Sequence, residues 1–329
     1  MTNATPGPVA RRLATVNGKN ARVIDMHAHV GVREANAVMG VNPQPWLLID
    51  DVQTRLNAMN AQAIDMEALS INPFWYAADH DTAAKVIEIQ NQKLAEWVAS
   101  EPERFVALAS VALQHPELAA QQLDDGVKKY NLRGALVGGS VEGDDLADAR
   151  FNPFWAKAEE LGVVIFIHPQ GVAELNRTNR LKGNGVLDNV IGNPLETTIA
   201  LSHLIMEGTL DRYPGVKILA AHGGGYLPSY APRSDHGGMT FPERFTRLKR
   251  NPTDYLRGPQ LYFDTLVFTP EALRHLAAET GTDRLVNGTD YPYPWTTTSV
   301  EHILETPGFT DEERIAMLGG TAEKLLGLT

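Results

Sequence analysis

The chain has 329 residues, 43% hydrophobic and 21% charged, which supplies enough apolar material for a sizeable core. Its 29 Lys and Arg against 40 Asp and Glu leave a net charge of −11 with no basic block, which argues against nucleic acid as a partner. No apolar run nears the roughly 18 residues of a membrane span, the N-terminus lacks the apolar core of a secretory signal, and cysteine is absent. A soluble, cytoplasmic protein without disulfides is expected. Any metal must then be held by His, Asp or Glu, which points to zinc, manganese or iron.

Residues 1–20 carry Pro6, Gly7, Pro8 and Gly18 and show no helical or strand period, so they are expected to form a mobile tail or a strap over the base of the fold. Residues 21–329 read as one domain. Eight apolar runs follow as candidate strands: Arg22–His27, Ala63–Ser70, Phe105–Val111, Gly134–Val137, Val163–His168, Val216–His222, Leu261–Thr265 and Arg284–Asp290. Amphipathic stretches separate them. Ala83, Val86, Ile87, Leu94, Trp97 and Val98 keep helical spacing. Asn193 with Pro194 and Glu196 predicts a capped helix start, and Thr269 with Pro270 and Thr310 with Glu313 repeat that grammar.

Strand and helix alternate to the end of the chain, without internal repeats. Eight such units predict an α/β fold, a single (β/α)8 TIM-type barrel. Three connections, Val30–Asp50, Pro169–Asn193 and Gly223–Gln260, are longer than closure requires. Each follows a strand, so all three elaborate the C-terminal face, where barrel enzymes build their sites.

The candidate site residues fall at those strand ends. His27 and His29 close the first strand, spaced so that both imidazoles share one face. A His-x-His pair alone is weak, since ten histidines in this length produce one by chance roughly 0.3 times. However, His168 closes the fifth strand, His222 the sixth and Asp290 the eighth, so five side chains would converge on one mouth. The strand pattern, not a search for histidines, set that placement. His115, His203, His275 and His302 lie at helix positions and read as structural. His80 and His236 lie in connections, and His236 is kept as a minor candidate for its nearness to Arg233.

The motifs Asp25-x-His27-x-His29, His168-Pro169, His222-Gly223-Gly224-Gly225 and Gly288-Thr289-Asp290-Tyr291-Pro292 resemble the amidohydrolase superfamily, amidohydrolase-2 type, in its aminocarboxymuconate semialdehyde decarboxylase branch. Arg150-Phe151-x-Pro153-Phe154-Trp155 and Pro194-x-Glu196-Thr197-Thr198-Ile199-Ala200 extend the likeness over roughly Arg22 to Leu328. The resemblance implies that His27, His29, His168 and Asp290 hold one divalent ion, most naturally zinc with manganese as the alternative. It implies that His222 activates water or carries a proton, and that Arg233 reaches the substrate of a neighbouring subunit, hence a homodimer or higher homo-oligomer. The fourth strand offers no lysine to bridge two metals, which favours one. Two departures stand out. Gln170-Gly171 replaces the branch's Trp-Asp after His-Pro, and the first long connection is too short for the branch's arginine-bearing hairpin, for which Arg33 is the local candidate.

A lowered pKa of metal-bound water, from 15.7 to about 7, suits an adjacent imidazole. The expected function is therefore metal-dependent, non-oxidative decarboxylation of an unsaturated or aromatic carboxylic acid, muconate-like or phenolic, with His222 or Asp290 as proton carrier. Tyr226, Tyr291, Tyr293 and Trp295 are expected to wall the ligand. The alternatives are a metal-dependent hydrolase of a lactone, amide or C–C bond on the same barrel, and a barrel that binds without turnover.

Overall fold

The apolar runs assemble into eight parallel barrel strands in a computed structural model that describes residues 7–49 and 51–328. The strands are Ile24–His29, Met66–Ser70, Phe105–Ala107, Gly134–Gly138, Val164–His168, Lys217–Ala220, Leu261–Asp264 and Leu285–Val286. Each ladder pairs neighbours in chain order, and the Ala109–Ala135 bridge joins the third strand to the fourth. The barrel closes between the last strand and the first: Met26 N–H donates to Asn287 O at 2.9 Å and Asp290 N–H to His27 O at 2.7 Å. The interior is filled by Ile24, Met26, Met66, Leu136, Phe166 and Leu219 among others, and Leu325 and Leu326 of the C-terminal helix plug its base. A larger apolar layer lies between strands and helices.

Most differences from expectation are at strand ends. The first strand runs to His29, so both histidines are inside it, whereas the sixth stops at Ala220 and leaves His222 in a turn at φ 54°. The eighth has only two laddered residues, because the chain leaves the sheet at Asn287. The connection 223–260 contains a helix, Leu227–Thr240, so Arg233 and His236 are helical.

Helix starts follow the predicted chemistry in two cases of three. Thr269 Oγ1 accepts from Ala272 N–H, and Thr310 with Glu313 forms a complete capping box. Asn193, expected as a cap, is already helical, because a π-turn over Asp188–Gly192 leads into the helix Asn193–Met206. Glu196 is turned to another use, described below.

Of the expected tail, Met1–Pro6 lies outside the described residues, as does Asp50 of the first long connection. Residues 7–21 dock at the barrel's base. Ala14–Val16 and Lys19–Ala21 form an antiparallel hairpin around Asn17 (φ 49°) and Gly18 (φ 75°), the left-handed pair that a tight hairpin turn requires. Arg11 pairs with Asp65, and Arg12 with Glu301. Among the described residues, no helix is long and apolar enough to cross a membrane.

Candidate active site

The first strand must aim two histidines at one point. Ile24 and Met26 face the interior with Val164 and Phe166 of another strand, so unbroken alternation would carry Ala28, not His27, to the mouth. The ladder shifts register between Asp25 and Ala28, an irregularity of the kind that re-aims side chains beside sites. Asp25 secures it: buried, it accepts from His27 N–H at 3.0 Å and from both the backbone N–H and the hydroxyl of Thr289, tying this strand to the loop that carries Asp290. Burial and the charge of Glu67 push the Asp25 carboxyl up to about 7.

The five strand-end side chains come together, but the mutually close group has His222 where His29 was expected. One ligand atom from each of His27, His168, His222 and Asp290 lies within 4.8 Å of the others. His29 stands beside them, its Nε2 3.1 Å from His27 Nε2 and 3.1 Å from Asp290 Oδ1. His222 Nε2 is 3.7 Å from Asp290 Oδ2. His222 and Asp290 both hold positive φ, 54° and 61°, a strained backbone for side chains and one that concentrates at functional sites. The following glycines permit the tight turn, for a Cβ at Gly225 would collide with the Pro194 carbonyl.

Burial lowers His29 to about 4, with Asp290 recovering only part of the loss. Burial and the neighbouring His29 and His27 hold His168 well below the ordinary imidazole value. His27 differs. Burial opposes its charge, but Asp290 and Asp264 on two sides raise it to about 10. The centre thus attracts positive charge between two carboxylates while His29 and His168 stay neutral donors. Among the described residues, both ring nitrogens of His168 and His222 Nδ1 are buried without a hydrogen-bond partner. Imidazole lone pairs and a carboxylate crowded at 3 Å fit a divalent cation and are poorly satisfied otherwise.

Asp264, at the end of the seventh strand, is the site residue that sequence reasoning missed. Its Oδ2 accepts from His27 Nδ1–H at 2.7 Å and from His222 N–H at 2.8 Å, and its Oδ1 accepts from Gly223 N–H at 2.9 Å. It fixes the His27 tautomer, leaving Nε2 as the donor, and pins the turn that presents His222. Its signal was its position, since it closes its strand as the other candidates close theirs. Glu196 was recognised only as a capping partner. Buried, it accepts from Ser140 Oγ–H at 2.8 Å, Gln170 N–H at 2.5 Å and Gly171 N–H at 2.7 Å, fastening the chain just after His168-Pro169.

Above the donors lie two adjoining cavities that share His222, Asp290, Asn189 and Asn193. One, about 300 Å³, is polar, with Asn72, Gln170, Tyr293 and His168. The other, about 500 Å³, is largely apolar, with Tyr226, Leu266, Val267, Phe268 and Trp295. Tyr226, Tyr293 and Trp295 thus sit where a ligand wall was expected. Tyr291 does not: its ring lies under the Arg55 guanidinium, 4.9 Å away, and faces neither cavity. Arg33 is also elsewhere, exposed on a short helix beside Lys93 and Trp97. Arg233 is exposed on Leu227–Thr240 and lines neither cavity. His275, read as structural, borders the apolar cavity and lies 3.0 Å from Ser229 Oγ.

A closed parallel barrel with a buried His/Asp cluster at its C-terminal mouth defines a class of metal-dependent enzymes, and a profile of the amidohydrolase family matches residues 24–328. The chain belongs to that family. It is similar to 2-amino-3-carboxymuconate-6-semialdehyde decarboxylase of Dictyostelium discoideum, 30% identical over 282 residues, covering 84% of this chain and 77% of that one. It is also similar to gamma-resorcylate decarboxylase of Rhizobium radiobacter, 31% identical over 258 residues, covering 75% and 78%. Among solved structures, a dihydroxybenzoic acid decarboxylase of Polaromonas sp. JS666, with bound manganese and the inhibitor 2-nitroresorcinol, superposes with a TM-score of 0.82 at 27% identity, covering 94% of this chain and 97% of that one.

Proposed function

We infer that the protein is a metal-dependent, non-oxidative decarboxylase of an aromatic or unsaturated carboxylic acid. The observation that carries this is the buried group of His27, His168, His222 and Asp290, with His29 beside it, beneath a cavity that His222 lines, in a chain whose relatives are decarboxylases of such acids. We assign His27, His29, His168 and Asp290 as holders of one divalent ion, which leaves His222 for the proton. Zinc and manganese both suit imidazole and carboxylate donors, and the manganese of the similar structure makes both worth loading. When bound, the ion supplies Lewis acidity toward the substrate's oxygen functions.

The chain's own residues do the rest. His222, its side chain 17% exposed, lines both cavities, whereas His29 lines neither. This favours His222 as the group that exchanges a proton with solvent and Asp290, 3.7 Å away, as its partner. The bond from substrate carbon to carboxylate breaks, CO2 leaves, and the electron pair left on carbon takes up that proton. Asn72, Gln170 and Tyr293 supply polar contacts that orient the acid.

Among the described residues, neither cavity is lined by Lys or Arg. An anionic substrate therefore gains from a cation brought by a second copy. We propose a homodimer or higher homo-oligomer in which Arg233 acts in trans, supported by the exposure of Tyr230 (66%) and Met239 (71%) on the same helix. Mixing Arg233→Ala with His222→Ala protein restores activity if the arginine serves its neighbour's site. No recovery after confirmed subunit exchange contradicts it. The net charge of −11 supports a small-molecule substrate over a nucleic-acid partner, and we propose a cytoplasmic setting. The function itself is tested by CO2 release from hydroxybenzoates and carboxymuconates. Activity that appears with zinc or manganese and vanishes on chelation supports it, and no CO2 from any acid overturns it.

A further inference from the structure

The apolar cavity is larger than a single-ring acid needs. A closed apolar cavity of about 150 Å³ already accepts benzene, and this half-open lobe offers about 500 Å³ beside the polar lobe of about 300 Å³. Its wall displays large apolar side chains to solvent: Phe268 is 55% exposed, Trp295 41% and Val190 39%. Contiguous exposed apolar surface at a cavity mouth marks a place where something binds.

A second observation concerns Phe268 alone. Its backbone holds φ 61°, a left-handed conformation that a bulky side chain adopts only under strain. The residue sits in the link between the seventh strand and the helix Pro270–Thr280, and its ring, 6.3 Å from that of Trp295, stands between the apolar cavity and a neighbouring one lined by Thr296, Ser299 and His302. A ring held this way and left half-exposed gains little from packing in the free protein. Its natural use is to meet a ligand.

We propose that Phe268 and Trp295 select substrates whose reacting ring carries an apolar extension, a fused ring or an alkyl chain of several carbons. The polar lobe and metal centre take the carboxylate and hydroxyl end, and the extension fills the apolar lobe and stays chemically untouched. This rests on the decarboxylase reading for the reaction but not for the binding, and the test separates the two.

The test compares 2,6-dihydroxybenzoate with its 4-pentyl homologue, and 2-hydroxybenzoate with 1-hydroxy-2-naphthoate, on metal-loaded protein. The expected result is that at least one extended acid exceeds its parent by about tenfold or more in kcat/KM, chiefly through KM. Phe268→Gly and Trp295→Ala should each shrink that ratio. Phe268→Gly should do so without lowering Tm, because glycine accepts the φ that phenylalanine strains to hold. A lowered Tm with an unchanged ratio would make Phe268 a structural residue and overturn its assignment. Equal kcat/KM within both pairs, as a lobe filled by a second subunit would produce, overturns the proposal while leaving the decarboxylase reading intact. If no acid is turned over, that reading fails, and calorimetric titration with the same pairs decides the lobe: tighter binding of an extended acid by about tenfold upholds it, and equal affinities overturn it.

Discussion

At His27 two carboxylates approach one imidazole from different sides, Asp264 at Nδ1 and Asp290 at Nε2. The first fixes the ring so that the second face is free to donate, and removing such a partner typically costs about 10–100-fold in metal affinity. Asp264→Asn is therefore expected to weaken zinc or manganese binding by about that factor, read by competition with a chelator. Unchanged affinity accompanied only by a lower Tm would make Asp264 a turn residue instead. The converging His and Asp side chains were legible because strand pattern locates strand ends, and residues at those ends share one mouth. Asp264 escaped notice because an aspartate after an apolar run reads equally well as a turn. Arg33 and Tyr291 lie away from both cavities for the opposite reason: proximity in sequence to His29 or Asp290 does not determine where a long side chain points once the chain leaves the strand.

At the scale of elements, local chemistry was reliable where nothing else competed for the side chain. Thr269 and Thr310 cap as their spacing predicts. Glu196 has the right spacing too, but the chain after His168 offers it two backbone N–H groups and Ser140 a hydroxyl, and the buried carboxylate takes all three. Glu196→Gln replaces one acceptor oxygen by a donor against these partners. A loss of about 1–3 kcal/mol is expected, seen as a lower Tm together with a raised KM, since Gln170 forms part of the polar lobe. An unchanged Tm and KM would show that the loop is held by its backbone alone. The hairpin of residues 14–21 was missed although Asn17-Gly18 announced it, because its arms of three residues are too short to display a period.

At the scale of the whole molecule, eight units of alternating strand and helix leave few topologies other than a closed barrel, and closure then places every strand end on one rim. The cavities above that rim were not legible in the same way. Their walls come from segments distant in sequence, near residues 190, 226, 268 and 295, and nothing in one segment's pattern reports which others it will face. In the proposed reaction the carboxylate carbon leaves and a proton from solvent takes its place. The most direct test is to run the reaction of metal-loaded protein in D2O and follow substrate and product by NMR. One deuteron on the carbon that bore the carboxylate and one CO2 released per product are expected, with both lost in His222→Ala. A product that keeps its carboxylate and gains the elements of water would contradict it.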